Sequence, residues 1–521
     1  MFLGFDSSTQ SLSALLIDPA SGRVVHQKSV NFGADLPHFG SPSGFLPGGE
    51  NGVVHADPRM WLEALDLLLE GLSKETNLAA VKAIAGSGQQ HGSVYLDATF
   101  ADRLAALAPA APLAAQLSPA LTRATSPIWM DTSTGAECAE IAASVGGNEA
   151  VCRISGSIAI ERFTGPQIRR FFKTEPDAYA RTARIHLVSS FLASVLAGRE
   201  AAIDTGDGAG MNLMDLARGD WSDTLLDATA PDLRAKLPPV APATTVTGPI
   251  STYFVAKYGF SPDCAVARFT GDNPASLVGM GATAPGNVVI SLGTSDTFFA
   301  AMDAPKTDPA GFGHVFGNPA GGFMSLICFR NGSLAREALR DQLGLDWNAF
   351  DRVGLVKTQP GNDGNRMLPF FGPEITPRFD FTGPARAGDA AFEAGENPPA
   401  QVRALLEGQF LNMRLHSQWI GSKPKRIRLT GGAARNNGIA RLVADIFQAP
   451  VERLAVGNSA ALGAALIAAA SAGHDLAALQ TAFCKPDSGF RIEPDPATAF
   501  VYADAMESYR ALLDAKMSGI S

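Results

Sequence analysis

In Gly271-Asp272-Asn273-Pro274-Ala275-Ser276 a carboxylate and an amide stand side by side, where the apolar stretch AVARFT (265–270) gives way to glycine. A turn uses such a pair for its geometry, because both side chains bond their own backbone. An enzyme uses it to take a proton from a hydroxyl and to orient that hydroxyl. Two other clusters carry chemistry of a different kind. Asp6-Ser7-Ser8-Thr9-Gln10 and Gly293-Thr294-Ser295 are hydroxyl-rich corners. Short hydroxyl side chains and turn N–H groups converge on a phosphate chain without bulk. Asp6, ending the first strand, suits a hydrated magnesium ion, which prefers oxygen ligands and keeps its waters. Each corner also serves as a plain hairpin turn. Two of them facing across a cleft would grip one triphosphate.

Thr430–Asn437, TGGAARNN, lies between a strand pattern and a helix pattern. Its small residues let backbone approach a flat ligand, and the helix start offers free N–H groups. Any strand-to-helix loop also welcomes glycine and asparagine. In GSGQQHG (86–92) the spacing is GxGxxxG and a strand pattern follows, so the segment is no dinucleotide fingerprint. His91 within it is either a satisfied polar residue or a partner for a polyhydroxy ligand. Arg162 is a surface charge, an ion-pair partner or a ligand contact. Trp347 either packs or lies against an adenine ring.

The elements that must position these residues are legible. FLGFDSSTQSLSALLID (2–18) and VVISLGTSDTFFAAMD (288–303) each run strand, polar corner, strand, which reads as a hairpin opening each of two duplicated halves. Asp57 and Pro58 mark a helix start in HADPRMWLEALDLLLEGL. IRLT, GIARLVADIFQ and PVERLAV follow as strand, helix and strand, the grammar of an α/β sheet. SAALGAALIAAA has small residues on nearly every face and must pack closely on a neighbour. Residues 361–400, rich in Gly, Pro and Asn, read as surface loop. The break between halves is expected at GATAPGN, giving residues 1–283 and 284–521.

At 521 residues two domains are expected. The net charge of −9 argues against nucleic acid as a partner. No apolar run is long enough for a bilayer span, and the N-terminus reads as a strand, not a signal peptide. The five cysteines lack CxxC spacing and read as reduced core thiols in a cytoplasmic protein.

Taken in order, FLGFDSSTQ, GSGQQHGSV, IWMDTST, ERFTGPQI, LVSSFLAS, DTGDGAGMNLMD, FTGDNPASLVGM, SLGTSDT, CFRNGSL and LTGGAARNN resemble the FGGY carbohydrate kinases over nearly the whole chain, and within them the branch that phosphorylates xylulose. Gln90 and Gln167 stand where many bacterial members of that branch carry methionine and lysine. The resemblance implies an α/β fold of two ribonuclease-H-like domains with an interdomain cleft. It implies ATP and Mg2+ as cofactors and a ketopentose, D-xylulose foremost, as substrate. Kinases of D-ribulose or glycerol, and a non-catalytic actin-like nucleotide switch, are the alternatives. A homodimer is compatible with it, and neither membrane nor nucleic acid is involved. By matching positions, Asp272 would be the general base, and His91, Gln90, Arg162 and Asn273 would contact the sugar. Asp6 would organise magnesium through water, and Ser8, Thr9, Gly293 and Thr294 would hold phosphate. Gly431, Gly432, Ala433 and Asn436 would line the adenosine site, with Trp347 beside it.

Overall fold

Along Phe2–Ser7 (β1) Leu3 and Phe5 enter one apolar cluster while Phe2 enters another, so this strand is covered on both faces. Ser11–Asp18 (β2) repeats the alternation, with Leu12, Ala14 and Leu16 on one side and Leu15 and Ile17 on the other. That period of two, with no polar face, is the mark of a central strand. The computed structural model describes residues 1–380, 383–454 and 457–519. β1 and β2 form the expected hairpin, extended by antiparallel Arg23–Asn31 (β3). Ala83–Gly88 (β4) joins the other side of β1 in parallel. Val246–Pro249 (β5), Ala265–Ala267 (β6) and Thr270–Gly271 (β7) complete a seven-stranded sheet, ordered β5-β6-β4-β1-β2-β3 with β7 also paired to β4.

The second half repeats this plan. Asn287–Leu292 (β8) and Asp296–Met302 (β9) form the second hairpin, flanked by His314–Gly317 (β10) and Phe323–Phe329 (β11). Arg426–Thr430 (β12) pairs in parallel with β8, as β4 does with β1. Val451–Leu454 (β13) and Pro486–Ile492 (β14) close the order β10-β11-β9-β8-β12-β13-β14. Both expected hairpins therefore stand in equivalent places. The last residues of the expected strand PVERLAV, 455 and 456, lie outside the described residues.

The helices that matter begin with Pro58–Glu75 (α1), capped by Asp57, whose carboxylate accepts the Arg59 N–H at 2.9 Å. Val188–Ala197 (α2) is buried at every position and packs with α1 on one face of the first sheet. Asp272–Gly279 (α3) follows β7 directly. Ser333–Gln342 (α4) and Trp347–Asp351 (α5) lead towards the 19-residue Pro398–His416 (α6). Asn437–Phe447 (α7), Ser459–Ser471 (α8) and Thr498–Ser518 (α9) complete the set. α6, α7 and α9 pack together and share the second core with its sheet.

α8 belongs to the later part of the chain yet lies on β1 and β4, covering the face of the first sheet opposite α1 and α2. Its small residues make this fit. A Cβ on Gly463 would fall 1.8 Å from the Ala275 carbonyl oxygen, and one on Gly279 would fall 1.9 Å from that of Ser459. α3 and α8 thus cross backbone to backbone. Leu462, Leu466 and Ile467 of α8 are fully buried, each contributing about 1.5–3 kcal/mol of apolar burial.

Residues 361–400 depart from the surface-loop expectation. Arg366–Leu368 and Ala385–Ala387 form a two-stranded ribbon, and Phe370, Phe379 and Phe392 are buried in the second core. Glycine and proline there punctuate short packed elements. Phe381 and Thr382 lie outside the described residues. All five cysteines are free, as expected, and no helix among the described residues is long and apolar enough to cross a membrane.

Candidate active site

Three neighbouring strands of the first sheet end at one level. Asp6 of β1 is in register with Ser87 of β4, and Ser87 with Thr270 of β7. The residues just beyond therefore gather at the carboxyl ends of parallel strands, where open α/β sheets hold their ligands. Asp6 accepts a hydrogen bond from the Ser87 hydroxyl at 2.8 Å. Burial nevertheless pushes its carboxyl up to about 6. Asp272 opens α3, and burial, then the charge of Asp6, push it up to about 7, against backbone N–H bonds from Asn273 and Gln90. A buried, raised carboxyl with a second carboxylate close enough to raise it further makes a candidate acid–base and cation-holding pair.

Asn273 is less free than its sequence position suggests. Its amide donates to Gln90 Oε1 at 2.8 Å and to Asp272 Oδ1 at 3.0 Å. It ties the carboxylate to the GQQH loop. Around it Ser7 Oγ, both polar atoms of Gln89, Gln90 Nε2 and Asp207 Oδ1 are buried with no hydrogen-bond partner among the described residues. Buried polar atoms are rarely left so, and a polyhydroxy ligand would satisfy them. Gln89 and Asp207 were not singled out from the sequence. Asp207 is 116 residues beyond His91, so only the fold brings it near Asp272; burial, then the charge of Asp204 and last that of Asp272, hold its carboxyl well above the usual carboxylate range.

His91 adopts φ +71°, stacks on Phe163 with centroids 4.2 Å apart, and contacts the Gly210 carbonyl through Nδ1 at 2.7 Å. A carbonyl only accepts, so the ring proton is on Nδ1 and Nε2 carries the lone pair. Burial, then Arg162, lower this imidazole to about 3 and keep it neutral. Arg162 lies within 3.2 Å of His314 on β10, in the second sheet. Gln167 donates to Asp131 at 2.7 Å, an internal role that keeps it apart from this group.

The corner residues divide. Ser8 turns inward, its hydroxyl bonding the Ser11 carbonyl at 3.1 Å, so its side chain serves the hairpin. Thr9 Oγ1 accepts from the indole of the exposed Trp129 at 2.8 Å. Gly293 and Thr294 sit on a cavity of about 1140 Å³, and Trp347, Gly432, Ala433 and Asn436 line it too. Residues from three distant segments of the sequence thus meet in one pocket. Gly431 stands behind it: its φ of +88° and its approach to the Leu292 carbonyl, 2.3 Å from where a Cβ would be, shape the loop. Nothing lies within 4 Å of a Cβ built on Gly432, which leaves its backbone open. Asn436 caps α7, accepting from Gly438 N–H at 2.8 Å and Ile439 N–H at 3.1 Å. Trp347, 42% exposed, carries the Arg340 guanidinium 4.5 Å over its ring.

Sequence reasoning missed the support under the second corner. Asp296 is gripped by Arg336 from α4, with Nη1 to Oδ2 at 3.0 Å and Nη2 to Oδ1 at 3.1 Å, both residues being buried. Ser333, at the start of α4, lines the cavity as well and bonds the Gly293 carbonyl through its N–H at 2.9 Å. Both residues sit in or next to quoted motifs, GTSDT and CFRNGSL, yet the pairing across 40 positions has no local signal.

Two groups of residues therefore stand out: Asp6, Asp272, Asn273 and Gln90 at the strand ends of the first sheet, and the cavity lined by Gly293, Thr294, Trp347, Gly432, Ala433 and Asn436. Residues 116–279 match the N-terminal domain of the FGGY family of carbohydrate kinases, and residues 288–472 match its C-terminal domain. The xylulose kinase of Rattus norvegicus is 41% identical over 520 residues, 98% of this chain and 96% of that protein. Xylulose kinase 2 of Arabidopsis thaliana is 43% identical over 487 residues, 90% of this chain and 87% of that one. Among solved structures, the xylulose kinase of Rhodospirillum rubrum superposes with a TM-score of 0.83 at 24% identity, covering 99% of this chain and 98% of the other. The alternative of a non-catalytic nucleotide switch falls away, and the protein belongs to the FGGY family of carbohydrate kinases.

Proposed function

We propose that this kinase transfers the γ-phosphoryl group of ATP to a hydroxyl of D-xylulose. The observation that carries the reading is the placement of Asp272 at the head of α3, beside Asp6 and the unsatisfied polar atoms of Ser7, Gln89 and Gln90. The relatives named xylulose kinase supply the substrate. Asp272 takes the proton of the sugar hydroxyl as its oxygen bonds to phosphorus. The bond to the β-phosphate oxygen breaks, and ADP leaves. Asn273 and Gln90 hold the carboxylate in place, and His91 offers its bare Nε2 to a sugar hydroxyl. Arg162 donates to the sugar from the other side.

Asp6 fits a magnesium ion held through water. Its buried carboxyl is raised, so a cation would relieve it, and Mg2+ is ordinarily bound by one or two carboxylates with its waters kept. When bound, the ion offsets negative charge on the transferring phosphate. The Ser8 N–H is spent on the Ser11 carbonyl at 2.9 Å, so the backbone N–H groups of Thr9 and Thr294 would cradle the phosphates, and the cavity under Trp347, Gly432, Ala433 and Asn436 would take the adenosine. Trp347→Ala is expected to raise the KM for ATP roughly tenfold, the scale of one base stacked on an aromatic ring, while leaving the KM for sugar in place. Steady-state kinetics with each substrate varied in turn checks this.

We place the boundary between halves at 283/284, and the five free thiols support a reducing, cytoplasmic setting. The direct test is ADP release from Mg-ATP across D-xylulose, D-ribulose, L-xylulose, L-ribulose and glycerol. Strong stimulation by D-xylulose alone supports the reading. Stimulation by D-ribulose or glycerol instead would keep the chemistry and overturn the substrate.

A further inference from the structure

His314 belongs to β10 of the second sheet, yet its ring is spent on the first half. Its Nε2 lies 3.2 Å from Arg162 Nη2, and its Nδ1 lies 3.1 Å from Ser157 Oγ. A guanidinium only donates, so Nε2 must present its lone pair to Arg162. The ring proton is then on Nδ1 and goes to Ser157. The tautomer is thereby fixed by two partners, whereas that of His91 is fixed by the Gly210 carbonyl alone. His314 is 2% exposed, and burial, then the neighbouring Arg162, hold it neutral.

The surroundings leave it little freedom. Ser157 is fully buried, and its carbonyl accepts from Ser155 Oγ at 3.0 Å and Asn212 Nδ2 at 3.1 Å. β10 is stitched to the same loop by Val315 N–H on the Gly156 carbonyl at 3.0 Å. Phe163, next to Arg162, sits between the rings of His91 at 4.2 Å and His314 at 5.4 Å. One set of contacts therefore orients His91 and Arg162 together, and its last member comes from the other half of the molecule.

We propose that His314 is a positioning residue for the sugar site: it aims the Arg162 guanidinium and makes the first half's pocket depend on the second half's β10. The inference rests on the reading of Arg162 as a sugar contact. A purely structural histidine would affect stability and both ligands alike. A positioning one affects sugar alone, and only while Arg162 is present.

The test is D-xylulose binding by calorimetry without nucleotide, on the full chain, for wild type, Arg162→Ala, His314→Leu and the double variant. His314→Leu is expected to weaken D-xylulose binding roughly tenfold, as for one lost hydrogen bond to a charged group. ATP affinity should stay unchanged. His314→Gln should restore most of the loss, since its amide can accept from Arg162 and donate to Ser157. In the Arg162→Ala background His314→Leu should add less than about twofold. A full tenfold loss in that background, or an equal loss of ATP affinity, would overturn the positioning role. Unchanged D-xylulose affinity in Arg162→Ala would instead overturn the sugar-contact reading beneath it. If His314→Leu does not fold, His314→Gln and Ser157→Ala decide: near-native affinity in the first with severalfold weaker binding in the second is required.

Discussion

Asp272→Asn is expected to lower kcat by about 10²–10⁴-fold, the usual contribution of a positioned general base, with D-xylulose binding retained. Asparagine keeps the shape and the bonds to the loop but cannot take the proton. The pH dependence adds a second readout. Burial and the charge of Asp6 raise the Asp272 carboxyl to about 7, and a base works only when ionised. The rate should therefore rise as pH increases through about 7 and level off above it. The residual activity of Asp272→Asn should lack that limb. A variant that keeps kcat within a few-fold of wild type, or keeps the same acid limb, would assign the base to another residue.

Arg336→Leu is expected to cost about 3–5 kcal/mol of stability, because Asp296 would remain as a buried, unpaired carboxylate beside the second phosphate corner. Burial already raises that carboxyl, and Arg336 is what opposes it. The same guanidinium also donates to Gln409 Oε1 at 3.0 Å, tying α4 to α6. Urea unfolding measures the loss. Replacing both partners by apolar residues, Arg336→Met with Asp296→Leu, should regain much of it, since the uncompensated charge is gone. A single-variant cost below about 1 kcal/mol would place this pair with ordinary surface ion pairs and defeat the argument.

The difference between Asp272 and Arg336 shows what one dimension carries. Asp272, Asp6 and the Gly293-Thr294 corner lie in short runs whose types announce their chemistry, and each lies at the end of a strand whose apolar run is plain. Their neighbours in the fold were out of reach. Asp207, His314 and Arg336 matter through partners that sheet order and helix crossings bring together, and no spacing encodes those meetings. Ser8 shows a different difficulty. Its residue type suits a phosphate, yet the same hydroxyl closes its own hairpin on Ser11, a competition that local sequence leaves open. Residues 361–400 misled for a related reason: glycine and proline mark chain reversals, and reversals occur between packed elements as well as in solvent.

The helix made of alanine and glycine was legible as tightly packed, but its partner was not, and the partner has a consequence during synthesis. α8 covers a face of the first sheet, whose last strands are complete at residue 271. At about 5–20 residues per second, the ribosome delivers α8 some tens of seconds later. Throughout that interval Phe2, Leu15, Ile17 and their neighbours have no lasting cover. Chains stalled before residue 459 are therefore expected to be protease-sensitive and chaperone-bound, and chains stalled well beyond residue 471 are not. Folding of the first half waits on translation of the second.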